Sequence, residues 1–179
     1  MKKPLYIIGC GGFGRSLAMV VRRSEEYYPA GFYDDAATPG QEVLQIPVLG
    51  AVEALATSGS DQEVLLGVGN PAVKEKLWSR LHPSGHIHFP IFIAPGALVL
   101  DPVHTAIGQG AILMPQTIVD PGVQIGRGCL LHFGCLISHD TVIGDFSSLM
   151  QGVIVPSGAQ ISKNSIVPAG TVVVEWLGG

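Results

Sequence analysis

The pair with the clearest capacity for acid–base chemistry is His139-Asp140, an imidazole beside a carboxylate. Such an Asp orients the ring and supports its protonated form while the His withdraws a proton from an attacking amine or hydroxyl. Adjacent residues in a strand point to opposite sides, so the pair works only where a turn intervenes. A second constellation is Gly9-Cys10-Gly11-Gly12-Phe13-Gly14, which fits G-x-G-x-x-G after the apolar run Leu5 to Ile8. Bare backbone can approach a diphosphate there, and the following helix N-terminus favours its charge. Asp34 and Asp35, about twenty residues on, can accept hydrogen bonds from a ribose hydroxyl or a base N–H. His132, seven residues before His139, is a candidate for substrate binding, or with His139 and His104 for holding a metal. The bland alternatives are a tight turn without a ligand and a solvated turn histidine.

These residues need elements to hold them. From Ile107 an aliphatic residue recurs every six positions: Leu113, Val119, Ile125, Leu131, Ile137, Ile143, Leu149, Val155, Ile161, Val167 and Val173. Four positions after each but the last stands a small residue, from Ala111 and Thr117 through Cys129 and Cys135 to Thr171. One aliphatic and one small inward residue per six suits a short strand and a turn, three of which close a triangular prism. The C-terminal part is therefore a parallel β-helix of hexapeptide repeats. Ile93 and Val99 continue the series upstream, with about two extra residues before Ile107, so the prism begins near Phe92. His139 and Asp140 fall two and three positions past Ile137, where the chain turns outward. Cys129 and Cys135 fall in the small inward slot and read as inert core thiols.

The N-terminal part alternates strands and helices. Leu5 to Ile8, about Ala30 to Tyr33, and Glu63 to Val68 read as strands; Phe13 to about Ser24, Val52 to Ala56 and Pro71 to Leu81 read as helices. That order predicts a small parallel, Rossmann-like sheet over residues 1–85, with the β-helix over 86–179. His82, His86 and His88 at the junction read as polar surface.

Composition narrows the partners. The 179 residues carry a net charge of −4, only 13% are charged, and 24 are glycine. No basic stripe is present for a phosphate backbone, so nucleic acid is excluded, and sparse long charged side chains suggest self-association. No apolar stretch approaches the roughly 20 residues of a membrane span. After Met1-Lys2-Lys3-Pro4 the apolar run stops at the glycines, short of a signal-peptide core, so a cytoplasmic protein is expected. Three cysteines in no zinc or redox spacing agree.

Taken together, several motifs resemble the NeuD/PglD-type bacterial sugar acetyltransferases over nearly the whole chain. They are Gly9-x-Gly11-Gly12-x-Gly14, Gly31-Phe32-Tyr33-Asp34-Asp35, Gly67-Val68-Gly69-Asn70 and the stretch from Ser138-His139-Asp140 to Ser147. The resemblance implies a left-handed β-helix, a homotrimer with sites between prisms, acetyl-CoA as donor and a nucleotide-linked amino sugar as acceptor, with no metal. It makes His139 the general base and Asp140 its support. It places Gly11, Gly12, Phe13, Asp34, Asp35, Gly69 and Asn70 in the nucleotide-sugar pocket, with His132 assisting. Backbone N–H groups near Gly152 would serve the tetrahedral oxyanion or the pantetheine arm. Where the family usually has a His before the last glycine of the first turn, this chain has Phe13, which carries no polar help.

Two other classes stay open. About 40 residues, some two coils, follow His139. A prism so shortened that it has lost coenzyme binding would be a nucleotide-sugar-binding scaffold, and a three-histidine zinc site would make a carbonic-anhydrase-like prism. Trp176 is expected to cap the open end of the prism.

Overall fold

The computed structural model describes residues 1–174. It contains two compact units, one formed by Met1–Gly69 with Val73–Pro90, the other by Asn70–Ala72 with the chain from Ile91 onward. Trp176 lies outside the described residues.

The first unit is built on strands β1 (Lys3–Ile8), β2 (Tyr27–Tyr33), β3 (Glu42–Val43), β4 (Ile46–Gly50), β5 (Gln62–Leu66) and β6 (Ile87–His88). Its helices are α1 (Gly12–Val21) and α2 (Val52–Ala56), followed by α3 (Pro71–Leu81), whose residues from Val73 belong to this unit. The sheet order is β3-β4-β2-β1-β5-β6, parallel except for the antiparallel β3–β4 pair. The chain moves outward from β1 in one direction and then returns to its other side with β5, so β1 and β5 flank a switch point. Crevices at the carboxyl ends of strands at such points hold ligands in doubly wound folds. Leu5, Ile7, Leu17, Val21, Phe32, Val64 and Leu66 are buried in the core around this sheet.

Three features differ from the sequence expectation. The hairpin β3–β4 and the short β6 enlarge the sheet. The hairpin turn is Leu44-Gln45, with φ of 55° and 60°, in the left-handed region that two-residue hairpins usually fill with Asn or Gly. Pro47 stands at an exposed position of β4, whose burial alternates through it, but a proline within a short run argues against a strand in the sequence. Helix α1 also stops at Val21 rather than near Ser24.

The second unit is a prism of two-residue strands. The first face stacks Phe92–Ile93, Ile112–Leu113, Leu130–Leu131, Ser148–Leu149 and Ile166–Val167. The second stacks Leu98–Val99, Ile118–Val119, Leu136–Ile137 and Ile154–Val155. The third stacks Ala106–Ile107, Gln124–Ile125, Val142–Ile143 and Gln160–Ile161. Apart from the first strand, where Phe92 is buried and Ile93 exposed, the second residue of each strand packs into the core, and Leu113, Val119, Ile125, Leu131, Ile137, Ile143, Leu149 and Val155 form its buried centre.

The small slots are filled as the six-residue period requires. Cys129 and Cys135 are buried, and burial pushes the Cys135 thiol up to about 11, so it stays protonated and unreactive. The hydroxyls of Thr117, Thr141 and Ser147 donate to the carbonyls of His132, Pro156 and Ser162 at 3.1, 3.0 and 2.8 Å. Each buried hydroxyl thus finds its acceptor about one coil on, which removes the cost of burying it.

Candidate active site

His139 and Asp140 occupy the corner between the second and third faces. Asp140 has φ of 60°, and this left-handed turn swings its carboxylate back to the preceding ring. Asp140 Oδ2 lies 2.8 Å from His139 Nδ1. An ionised carboxylate only accepts, so Nδ1 carries the shared proton and Nε2 presents its lone pair away from Asp140. The corner is fixed by its neighbours: Asp140 N–H donates to Pro121 O at 3.3 Å, and Gly158 N–H donates to His139 O at 2.9 Å. Both side chains are exposed, at 59% and 73%. A base held in one tautomer and open on its free nitrogen is equipped to take a proton from an incoming nucleophile.

Gly122, on the coil below, was not singled out by the sequence. A Cβ there would lie 2.6 Å from Asp140 Oδ1, and its φ is +75°. Its glycine identity therefore makes room for the carboxylate.

His132 lies at a different corner, between the first and second faces, and only 5% of it is exposed. Phe133 N–H donates to its Nδ1 at 2.9 Å, and the Gln151 amide stands 3.4 Å from its Nε2. Burial holds its pKa below the ordinary histidine value, so the ring is neutral at pH 7. Gly152 shares this corner. Its N–H already donates to Phe133 O at 2.9 Å, so stacking of the coils uses the group that the sequence reading offered to an oxyanion. Its Cα faces open space within the chain.

In the first unit, three glycines, two in the nucleotide motif and Gly67 after β5, are demanded by packing. A Cβ on Gly14 would lie 1.9 Å from Gly9 O, one on Gly67 would lie 2.8 Å from Ile8 O, and Gly9 has φ of +96°. Gly11, Gly12 and Gly69 have nothing within 4 Å of an added Cβ, so their lack of side chain leaves room for something the chain does not itself supply. Gly11 is the N-cap of α1 and offers no side-chain cap, which suits an anion at the first-turn N–H groups. Phe13 sits half-buried in that first turn, and Asn70 is exposed in the loop before α3.

The two aspartates divide their roles. Asp34 Oδ2 accepts from Cys10 N–H at 2.8 Å and Oδ1 from Ala36 N–H at 2.9 Å. Burial alone would raise its pKa, but these hydrogen bonds outweigh that and hold the carboxyl below its usual value. Asp34 thus braces the glycine turn, a structural use of a carboxylate that the sequence reading had aimed at the ligand. Asp35 is exposed, and its Oδ1 accepts from Val52 N–H at 2.8 Å. Both line a pocket of about 200 Å³ with Ile8, Tyr33, Val52 and Leu77, at the carboxyl ends of β1 and β2. An adjoining pocket of about 220 Å³ adds Lys76 and Arg80.

Among the described residues, no group of three or more His, Cys, Asp or Glu side chains is placed to hold a metal ion. His104 pairs instead with Asp101, its Nδ1 2.7 Å from Oδ2. Of the junction histidines, His82 stacks on Trp78 at 5.3 Å and His88 stands 3.4 Å from Asp61.

Comparison with known proteins matches the same two units. Residues 4–81 match the PglD N-terminal domain, and residues 104–139 match the bacterial transferase hexapeptide of six repeats. The GDP-perosamine N-acetyltransferase of Escherichia coli O157:H7 is 25% identical over 173 residues, 93% of this chain and 76% of that protein. The acetyltransferase domain of PglB from Neisseria gonorrhoeae FA1090 superposes with a TM-score of 0.83 at 22% identity, covering 96% of this chain and 91% of that one. A perosamine N-acetyltransferase from Caulobacter crescentus, solved with CoA and GDP-perosamine, superposes with a TM-score of 0.79 at 24% identity, covering 96% and 89%. Fold and motifs define a hexapeptide-repeat transferase with a Rossmann-like N-terminal domain and a left-handed β-helix. Within that class, the chain is similar to the NeuD/PglD-type sugar acetyltransferases, its N-terminal unit through the PglD N-terminal domain and its prism through the hexapeptide repeats.

Proposed function

We propose that this protein transfers an acetyl group from acetyl-CoA to the amino group of a nucleotide-linked sugar, in the cytoplasm, for surface-glycan synthesis. The observation that carries the reading is the oriented His139–Asp140 pair on a hexapeptide prism, with its free nitrogen open. As the amine attacks the thioester carbonyl, His139 Nε2 takes its proton and Asp140 supports the resulting imidazolium. The protonated ring then gives that proton to the departing sulfur, leaving an amide and the free thiol of coenzyme A. The E. coli and Caulobacter relatives, named for perosamine, support an amine acceptor.

The nucleotide-sugar domain, residues 1–85, would hold the diphosphate at Gly11, Gly12 and Gly69, which leave space for it. The base and ribose would occupy the Asp35 pocket, with Lys76 and Arg80 balancing charge. Asn70 lies in the loop beside Gly69, and Phe13 in the first turn of α1. The prism, residues 86–179, would take acetyl-CoA, with the open face of Gly152 in contact with the pantetheine arm and His132 shaping the corner beside it.

A homotrimer is favoured by the outer residues of the second face. Leu98, Leu136, Ile154 and Val172 are large, apolar and exposed, whereas the matching positions of the third face are Ala106, Gln124, Val142 and Gln160. Such a stripe marks an interaction surface, and it borders the His139 corner.

The test mixes the purified protein with acetyl-CoA and a panel of nucleotide-linked amino sugars that includes GDP-perosamine, following thiol release. Release that requires both sugar and His139 supports the transferase; sugar binding without release in the wild type would point to the scaffold instead.

A further inference from the structure

The prism repeats every eighteen residues, with one exception. Ile118 pairs with Leu136 and Leu136 with Ile154, but Leu98 pairs with Ile118, twenty positions on, whereas Ala106 pairs with Gln124 at the regular spacing. The two extra residues therefore lie between Val99 and Ala106, at the corner between the second and third faces. This is the edge that carries His139.

The inserted loop is wound around Asp101. Its Oδ1 accepts from the N–H groups of Val103 and His104 at 3.1 and 3.2 Å, and its Oδ2 lies 2.7 Å from His104 Nδ1. As at His139, the paired nitrogen is Nδ1, so the carboxylate holds the ring by that atom and leaves Nε2 outward, on a side chain 74% exposed. A loop that orders an exposed imidazole in this way has already given up the freedom that ligand binding would otherwise remove.

The two His–Asp pairs stand two coils apart on one edge, since Val99 stacks on Val119 and Val119 on Ile137. Strands in a ladder are about 4.8 Å apart, so the backbone positions are separated by about 10 Å. The corner between them is Asp120-Pro121-Gly122-Val123, in which Asp120 is the one hydrogen-bonding side chain. A spacing of that order is within the reach of one sugar ring with a hydrogen bond at each end. No Lys or Arg occurs in residues 100–105, 120–122, 138–141 or 156–158, so this edge supplies no cation for a phosphate. The ligand portion that fits here is the sugar ring.

We propose that His104 is a second acceptor-contacting residue, with Nε2 hydrogen-bonded to a ring hydroxyl of the amino sugar while His139 receives the proton of its amine. Asp101 is the positioning residue for His104. The proposal rests on the transferase reading given above. Its test is steady-state kinetics of His104→Ala, His104→Gln and Asp101→Asn with acetyl-CoA and GDP-perosamine, or the acceptor that the panel selects. The expected result is an acceptor KM raised about tenfold in His104→Ala, the loss of one hydrogen bond, with KM for acetyl-CoA unmoved. His104→Gln, whose amide oxygen can accept from the hydroxyl in place of Nε2, should recover part of the loss, and Asp101→Asn should fall between. An unchanged acceptor KM, or equal shifts in both KM values with a lower melting temperature, overturns the proposal. If the wild type neither transfers to nor binds any nucleotide sugar, the transferase reading fails and takes this one with it. If the wild type transfers and His104→Ala matches it, only this proposal fails.

Discussion

A methyl group on Gly122 would come within 2.6 Å of Asp140 Oδ1, eighteen residues later in the chain and one coil above. The carboxylate that holds the His139 ring thus occupies the space of a side chain missing from the coil beneath. Gly122→Ala should displace Asp140 and also strain a backbone at φ +75°. The expected outcome is a fall in kcat of roughly 10-fold or more, from a base that loses its orientation, with a stability loss of only about 1 kcal/mol. A matched pair of kinetic and thermal measurements checks this; a variant that loses stability while keeping kcat would refute it.

Asp140→Asn keeps the shape of the pair but removes the charge that supports the imidazolium. His139→Ala should cost roughly 10²- to 10⁴-fold in kcat, and Asp140→Asn should cost less than that while leaving the acceptor KM nearly unchanged. Comparable kcat values for wild type and Asp140→Asn would remove Asp140 from the mechanism.

His132 makes stability depend on pH. Burial depresses its folded-state pKa below the value of about 6.5 in the unfolded chain. Between the two values the unfolded chain binds more protons, so stability is complete above pH 6.5 and declines as pH falls toward the folded-state pKa. The melting temperature should therefore drop between pH 7 and 5, and His132→Gln should flatten that part of the profile. An unaltered slope in the variant would show that other groups cause it.

The second-face stripe gives a prediction about assembly. Leu136 is exposed and its neighbour Ile137 carries the core contact, so Leu136→Glu should leave the prism folded. On the trimer proposed above, it should shift the protein to monomer in light scattering, and transfer activity should fall with it. A trimeric Leu136→Glu would place the subunit interface elsewhere.

Ser148 is fully buried at an outward position of the first face, and its Oγ has no hydrogen-bond partner among the described residues. Removing an unsatisfied hydroxyl costs nothing in lost bonds, so Ser148→Ala should leave stability unchanged or raise it by about 1 kcal/mol. A clear drop in denaturant midpoint would reveal a partner for the hydroxyl.

Much of the prism was legible because one inward aliphatic per six residues is a rule with few solutions. The same count put His139 and Asp140 on a turn, where Asp140 does adopt φ of 60°. The hairpin at Leu44-Gln45 was hidden because neither residue advertises the left-handed conformation it takes. Roles that depend on which hydrogen bonds are already made were hidden too. Asp34 spends both oxygens on the glycine turn, and Gly152 spends its N–H on Phe133, and neither fact is written in residue type or spacing. Gly11, Gly12 and Gly69 looked like Gly9, Gly14 and Gly67 in the sequence, and only the backbone distances separate those that pack from those that leave space.

The hydroxyls of Thr117, Thr141 and Ser147, each bonded about one coil on, make the prism behave as a row of interchangeable slices. Removing or duplicating eighteen residues would return each inward aliphatic to an equivalent slot, whereas a change of one residue would turn the downstream aliphatics toward water. The catalytic corner can therefore be kept intact while the length of the rod is edited, provided that edits come as whole slices or, like the two residues before Ala106, bulge from an edge.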